Sequence, residues 1–253
     1  MNLDVCVETG EMRKALVAVR VHADKTKTGG DGTTSLHRIR LSFGVRECAV
    51  MATNTATAAI AILPLVDEDG SPVDEISRAG DDGRVISTII DIEPRHALRI
   101  LGTFPVTKAE RDGMTQILSI SANEDGCDVE DISGLVAGDS IHLRAVGNGQ
   151  GFPDLWSIVG AALKSADGSP HIKPLTSPGK HFSAFASASS AYDTPLTITP
   201  TGTKESRGFI VECGSQFVGT IESRHQDDDS LRKRDAARMR WLSRFSGRDL
   251  KAV

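Results

Sequence analysis

Aromatic side chains are scarce in this chain. Eight Phe, two Trp and one Tyr supply 4% of 253 residues, so the core has to be built from Val, Ile, Leu and Ala, and an aromatic-lined ligand pocket is not expected. The four cysteines, Cys6, Cys48, Cys127 and Cys213, are scattered, with no CxxC pair and no matching His spacing. That excludes a disulfide framework and a zinc site and points to reduced, buried thiols in a cytoplasmic protein. No apolar run approaches the ~18 residues of a membrane span, and MNLDVCVETGEMRK lacks the basic-then-apolar pattern of a signal peptide; no membrane is expected among the partners. Catalytic motifs are missing too. There is no GxSxG, no phosphate-cradling loop, no dinucleotide fingerprint and no HExxH helix. The seven histidines stand singly, and paired carboxylates occur only in loop-like tracts such as DEDG, DDG and DDD. A catalytic dyad needs carboxylates held in a shielded cleft. The chain is therefore read as not an enzyme, with no catalytic residue, no cofactor and no metal. Excess positive charge is also absent: 29 Lys plus Arg against 34 Asp plus Glu give a net charge of −5. This excludes a globally basic, nucleic-acid-wrapping protein but leaves room for a local basic surface.

What is present is a repeated unit: a strand, a two-faced helix and further strands. In LDVCVE, Leu3, Val5 and Val7 alternate with Asp4, Cys6 and Glu8, the period of a half-buried strand. Thr9 is expected to cap the next helix, in which Met12, Leu16, Val19 and Ala23 recur at helical spacing. Arg13, Lys14 and Arg20 fall on another face. SLHRIRLSF and CAVMATNTATAAIAILPL follow as strands, the latter as two short strands or one bent one. The second unit repeats the order: VISTIIDI as a strand, then the helix EPRHALRILGTF with Pro94 in its first turn. Leu98 and Leu101 supply its apolar side, and Arg95 and Arg99 share a surface at i,i+4. TQILSISA, CDVEDISGL and SIHLRAV complete the unit.

GNGQGFPDLWSIVGAALKSADGSP, residues 147 to 170, marks a boundary, with Trp156, Ile158, Val159 and Leu163 too apolar for a free linker. A third unit follows: HIKPL as a strand, Ser177 as N-cap, and a helix with Phe182, Phe185, Ala186 and Ser189 on its core side. TPLTITP, RGFIVECG and SQFVGTIES are its strands. This helix carries only Lys180 and His181 near its start, so any basic surface shared with the first two units is uneven. Residues 1–150 then make a first domain of two units and 151–226 a second, shorter or degenerate one. Residues 227–253 are a basic helix in which Arg234 and Arg238 are candidate phosphate contacts.

The repeated unit, with FPDLW after its second copy, resembles the bacterial-type DNA polymerase sliding clamp, the β processivity factor, in a divergent form of phage or plasmid type. LSFGVRECAVMATNTATAAIAIL resembles the clamp segment in which one strand leads through an Ala-Thr-Asn turn into the next, and GFIVECGSQFVGTIESR is similar to the last strands of a clamp chain. The resemblance implies an α+β DNA-clamp fold, with antiparallel sheets outside and helices inside. It implies a ring around duplex DNA, bound without regard to base sequence, with a DNA polymerase and a clamp loader as partners. Arg13, Lys14, Arg20, Arg95 and Arg99 would then line the hole. Rings of this family are built from six two-unit domains. If residues 151–170 and the tail complete a fourth unit, the homo-oligomer is a trimer; a tetramer or dimer are the alternatives. Two features depart from the family. Three units are evident rather than four, and Glu222-Ser223-Arg224-His225 stands where clamps end in a strand that walls a peptide pocket. The alternative reading is a clamp-fold interaction or regulatory protein that does not encircle DNA and binds a partner through its C-terminal helix.

Overall fold

The computed structural model describes residues 3–24, 36–73, 88–106, 113–123, 125–134, 138–146, 151–166, 177–202, 207–222 and 228–246. The first unit comprises β1 (Leu3–Glu8), α1 (Thr9–Val19) with a 3-10 turn at Arg20–His22, β2 (Ile39–Phe43), β3 (Glu47–Thr53) and β4 (Thr57–Pro64). The second comprises β5 (Thr88–Ile92), α2 (Pro94–Thr103), β6 (Ile117–Ala122), β7 (Gly126–Asp131) and β8 (Ser140–Arg144). A connecting helix α3 (Leu155–Ala166) leads to the third: α4 (Gly179–Tyr192), β9 (Leu196–Gly202), β10 (Arg207–Cys213) and β11 (Phe217–Glu222). Helix α5 (Asp228–Ser246) follows. The strand expected at HIKPL lies outside the described residues.

The strands form two antiparallel sheets, one ordered β1-β6-β7-β8 and one ordered β5-β2-β3-β4-β11-β10-β9. The first two units exchange their first strands. β1 pairs with β6 of the second unit (Val5↔Ile120), and β5 pairs with β2 of the first (Leu41↔Ile90). Neither four-strand set is complete without the other unit. The third unit attaches differently, by its last strand: β11 runs antiparallel to β4 with Val218 opposite Ile60, so one sheet continues from the first unit into the third.

Strand alternation divides the large sheet into two faces. On one, Val50, Ala52, Ala61, Leu63, Val211 and Ile221 join α1, α2, α4 and the inward side of the small sheet in a single core. On the other, Ala49, Met51, Ala58, Ile60 and Ile210 pack against Leu155 and Val159 of α3. Each buried Val, Leu, Ile or Met side chain contributes ~1.5–3 kcal/mol. Burial on both faces explains why CAVMATNTATAAIAIL is apolar almost throughout, as central strands covered on both sides are. The segment is two strands joined by a tight turn. Asn54 Oδ1 accepts from the Thr57 amide at 2.9 Å and from the Thr57 hydroxyl at 3.1 Å, while Thr55 takes the left-handed conformation at φ +70°. Asn serves there because its short side chain replaces a backbone partner.

The outer face carries an ion-paired cluster. Arg40 and Asp91 are cross-strand neighbours on β2 and β5. Arg40 Nε donates to Asp91 Oδ1 at 2.8 Å and its Nη2 to Oδ2 at 3.0 Å, with Arg38 Nη1 adding a bond to Oδ2 at 3.2 Å. The carboxylate is fully buried, a setting in which it has to be paired. The Arg40 guanidinium also lies 4.3 Å from the centre of the Phe152 ring, within cation–π range. Phe152 is thereby pinned to the sheet, and Asp154 caps α3 by accepting from the Ser157 amide at 3.1 Å. The FPD string is thus an anchor followed by a cap.

Several local expectations are corrected. Glu8, not Thr9, is the N-cap residue of α1; Thr9 is the first helical residue, and its buried hydroxyl has no partner among the described residues. On α2 the buried residues are Ala97 and Ile100, and Leu98 is exposed. On α4 they are His181, Phe185 and Ala188, so the buried face is rotated from the predicted one and Ala186 is exposed. Pro178 is the N-cap residue of α4, and Ser177 instead bonds His181 Nδ1 at 3.1 Å.

Candidate nucleic-acid interface

Helices α2, α1 and α4 lie side by side on the inner face, with α1 touching both of the others. On α1, Gly10, Glu11, Arg13, Lys14 and Val17 are the partly exposed positions, with Arg20 in the turn that follows, spaced as one stripe of a helix whose other sides are buried. On α2 the exposed stripe is Arg95, Leu98, Arg99 and Gly102, and on α4 it is Gly179, Lys180, Ser183, Ala186 and Ser190. The three helices carry five basic residues (Arg13, Lys14, Arg95, Arg99, Lys180) and a single acidic one, Glu11; Arg20 adds a sixth cation in the turn after α1. In a chain with more carboxylates than cations, that is a marked segregation of charge.

The predicted cations differ in how free they are. Arg99 is exposed, with one bond of 3.3 Å to the His142 carbonyl. Arg95 has two thirds of its side chain exposed and bonds Glu93 at 2.9 Å. Lys14 is paired with Glu11 at 2.7 Å, and Glu11 also accepts from Gln216 of the third unit at 2.9 Å. Arg13 is committed further: its Nη1 donates to the carbonyls of Leu101, at 2.6 Å, and of Phe104, at the C-terminal end of α2. Those carbonyls lack helical partners and carry the negative end of the helix dipole. Arg20 is half-buried, and its Nε has no hydrogen-bond partner among the described residues. Between Arg95 and Arg99, His96 is held below the ordinary imidazole range chiefly by burial, with Glu93 opposing and the two arginines assisting.

Beneath the α1–α4 contact sits His22. Its ring lies 4.5 Å from that of Phe185, and its Nδ1 is 3.0 Å from the Thr57 hydroxyl. Burial lowers its pKa to about 3. The Thr57 hydroxyl donates to Asn54 and so accepts from His22 Nδ1–H. Nε2 is left as a buried acceptor with no partner among the described residues.

On α5, Arg234 bonds the neighbouring Asp235 at 2.9 Å and Lys233 pairs with Asp229 at 2.6 Å; the Arg238 side chain lies outside the described residues. Sequence reasoning missed the cavity of about 510 Å³ on the outer side, between the β3–β4 turn, α3 and the strands of the third unit. Thr55, Pro153, Ile158, Ala162, Phe209 and Ile221 are among its lining. Its one sequence signal was the apolar excess of the FPDLWSIV stretch. Among the described residues no group of His, Cys, Asp and Glu could hold a metal, and no helix is long and apolar enough to cross a membrane.

No family model and no curated protein matches this sequence. Solved structures do. The chain is similar to the DNA polymerase III β subunit of Thermotoga maritima, with a TM-score of 0.57 and 11% identity over 90% of this chain and 66% of that one. It is similar to the β sliding clamp of Caulobacter crescentus, at 0.58 and 13% over 91% and 67%. It is also similar to the sliding clamp of Bacillus subtilis, at 0.56 and 12% over 89% and 65%. The chain spans about two thirds of the length of these proteins. The likeness establishes the fold: an α+β sliding-clamp fold of antiparallel sheets, here with α1, α2 and α4 on the inner face and α3 on the outer one.

Proposed function

We propose that this chain is a non-enzymatic DNA clamp of the cytoplasm, which assembles with further copies into a ring around duplex DNA and tethers a polymerase there. Residues 1–150 act as a complete two-unit domain and 151–226 as a shorter one. The observation that carries the reading is the segregation of charge. Three adjacent helices and their flanking residues carry Arg13, Lys14, Arg20, Arg95, Arg99 and Lys180, with Glu11 on α1 and the N-cap Glu93 of α2 as the carboxylates beside them, although the chain as a whole is acidic. Long basic side chains over a sheet-backed helix layer suit phosphate contacts that are numerous, weak and indifferent to sequence. An acidic exterior keeps the DNA inside. Polymerase and clamp loader are the partners of this reading, and the outer cavity beside α3 is a place for one of them.

Retention on DNA tests it. The protein loaded on a nicked circle is expected to stay bound through gel filtration at ~0.3 M salt and to leave when the circle is cut once. Arg95→Glu with Arg99→Glu should lower the salt dependence of binding to linear duplex by about two units, because each lost phosphate contact removes about one unit. A protein that never distinguishes circular from linear DNA would overturn the ring.

A second reading is favoured by the composition of α5, which carries a dense run of cations. In that reading the chain is a clamp-fold interaction protein, and α5 engages an acidic partner. Deleting residues 227–253 would then abolish partner capture and leave the assembly state unchanged.

A further inference from the structure

The first domain shows what a complete pair of units needs, and the described residues of the third unit lack it. In the first domain the second strand of each unit is flanked by a strand from its mate: β2 by β5, and β6 by β1. Strand β9 is the topological equivalent of β2 and β6, yet it ends the large sheet with nothing beyond it among the described residues. The inward side chains of the two strands differ accordingly. On β2, Ile39, Leu41 and Phe43 are at most 1% exposed, whereas on β9 Ile198 is 46% exposed. Ile198 faces inward because it is opposite Val211, an inner-core residue of β10. Beside it, Leu196, Phe182 and Phe209 are only partly covered, with the two rings 5.5 Å apart. The edge is also undefended. LTITPTG carries no charge, and Pro200 is its one feature of the kind that keeps edge strands from pairing.

We propose that the third unit is half of a domain completed by the third unit of a second copy, through a two-fold contact across the β9 edge and the apolar side chains Phe182, Leu196, Ile198 and Phe209. The partner is identified by the fold itself. What covers the equivalent strand in the first domain is another strand–helix–strands unit, and the third unit of a second copy is such a unit without a mate. A two-fold operator is the one that relates the same surface on both copies, and the first domain already joins its two units by reciprocal exchange. Pro200 withholds one backbone donor and confines the new ladder to its N-terminal side.

The contact needs no DNA, so its test is separable from that of the clamp function. The full chain at ~20 μM is expected to run in light scattering as an even-numbered assembly. Ile198→Asp should halve its mass, and Ile198→Thr should weaken it in a concentration-dependent way. Ile89→Asp, equally exposed on the edge strand β5 but facing outward, should leave it intact. Amide exchange at Leu196–Thr199 should be slow in the parent and Ile89→Asp proteins, and fast in Ile198→Asp. A parent chain that is monomeric at this concentration overturns the proposal, as does an Ile198→Asp protein with unchanged mass and protected β9 amides. Thermal melting of each variant confirms that it is folded.

Discussion

Helix α1 has a neighbour on each side and is joined to them by different chemistry. Towards α2 the join is polar: Arg13 reaches across to the Leu101 and Phe104 carbonyls. Towards α4 it is apolar and aromatic, with His22, Phe185 and Phe217 within 6.3 Å of one another, centre to centre. The difference follows from what lies underneath. The first two units exchange strands, so their sheets already bind them and the helices need only a strap. The third unit meets the first through the single β4–β11 ladder, and the α1–α4 contact has to supply the buried area that strand exchange supplies elsewhere. Charge distribution obeys the same division. The strapped pair can present arginines, while the packed helix exposes one cation, Lys180, in its first turn and then Ser183, Ala186 and Ser190.

The apolar side should therefore be the fragile one. Phe185 is buried to 1% and lies so close to β11 that a Cβ on Gly219 would meet its Cε1 at 2.6 Å and the Ala58 carbonyl at 2.5 Å. Phe185→Ala is expected to cost ~3–5 kcal/mol. In chemical denaturation the third unit should unfold ahead of the first domain, splitting one transition into two. Gly219→Ala should act in the same direction, since neither the backbone oxygen nor the packed ring can yield easily. A single unshifted transition in both variants would show that the β4–β11 ladder alone holds the third unit.

These contacts were unevenly legible in the sequence. The strand periods and the α1 core residues Met12, Leu16 and Val19 could be read because their alternation is local and their side chains strongly apolar. Helix α2 misled because Leu98 outranks Ala97 in hydropathy, yet the small Ala97 is the residue buried against the core. On α4 the buried His181 was invisible to an apolar pattern, which slid onto Phe182 and Ala186. Arg13, Lys14, Arg20, Arg95 and Arg99 could be placed off the core from spacing. That Arg13 is occupied by carbonyls 88 and 91 residues away could not, because that contact is made by the tertiary fold. The strand exchange and the open β9 edge were hidden for the same reason. Arg40 and Asp91 left a fainter trace, as lone charges inside otherwise apolar strands.

The aromatic side should also be the acid-sensitive one. The folded pKa of His22 is depressed to about 3 from an unfolded value near 6.5. Above 6.5 both states are neutral and the full stability is present. As pH falls below 6.5 the unfolded chain takes up a proton that the folded chain refuses, so stability drops by ~1.4 kcal/mol per pH unit until the folded pKa near 3 is reached. At pH 5 the loss attributable to this residue is ~2 kcal/mol. It should be absent in His22→Gln, whose stability is compared with the parent at pH 7.5 and pH 5. Equal acid sensitivity in the two proteins would place the effect elsewhere.

The polar side should give the smallest change. Arg13→Gln removes charge-assisted bonds to the last carbonyls of α2, a loss of ~1–2 kcal/mol at a half-buried position. The informative readout is the comparison with the cations beside it. If Arg13 spends its guanidinium on α2, then Arg13→Gln lowers stability but changes the salt dependence of DNA binding by well under one unit. Arg95→Gln and Arg99→Gln, exposed and weakly engaged, should each lower that dependence by about one unit with stability nearly untouched. The reverse pattern, an Arg13 variant of full stability whose salt slope falls by a whole unit, would mean that the strap lets go and Arg13 turns to phosphate when DNA is present. The two flanks of α1 would then differ in packing alone, and the basic surface would be larger by one residue than the free chain displays.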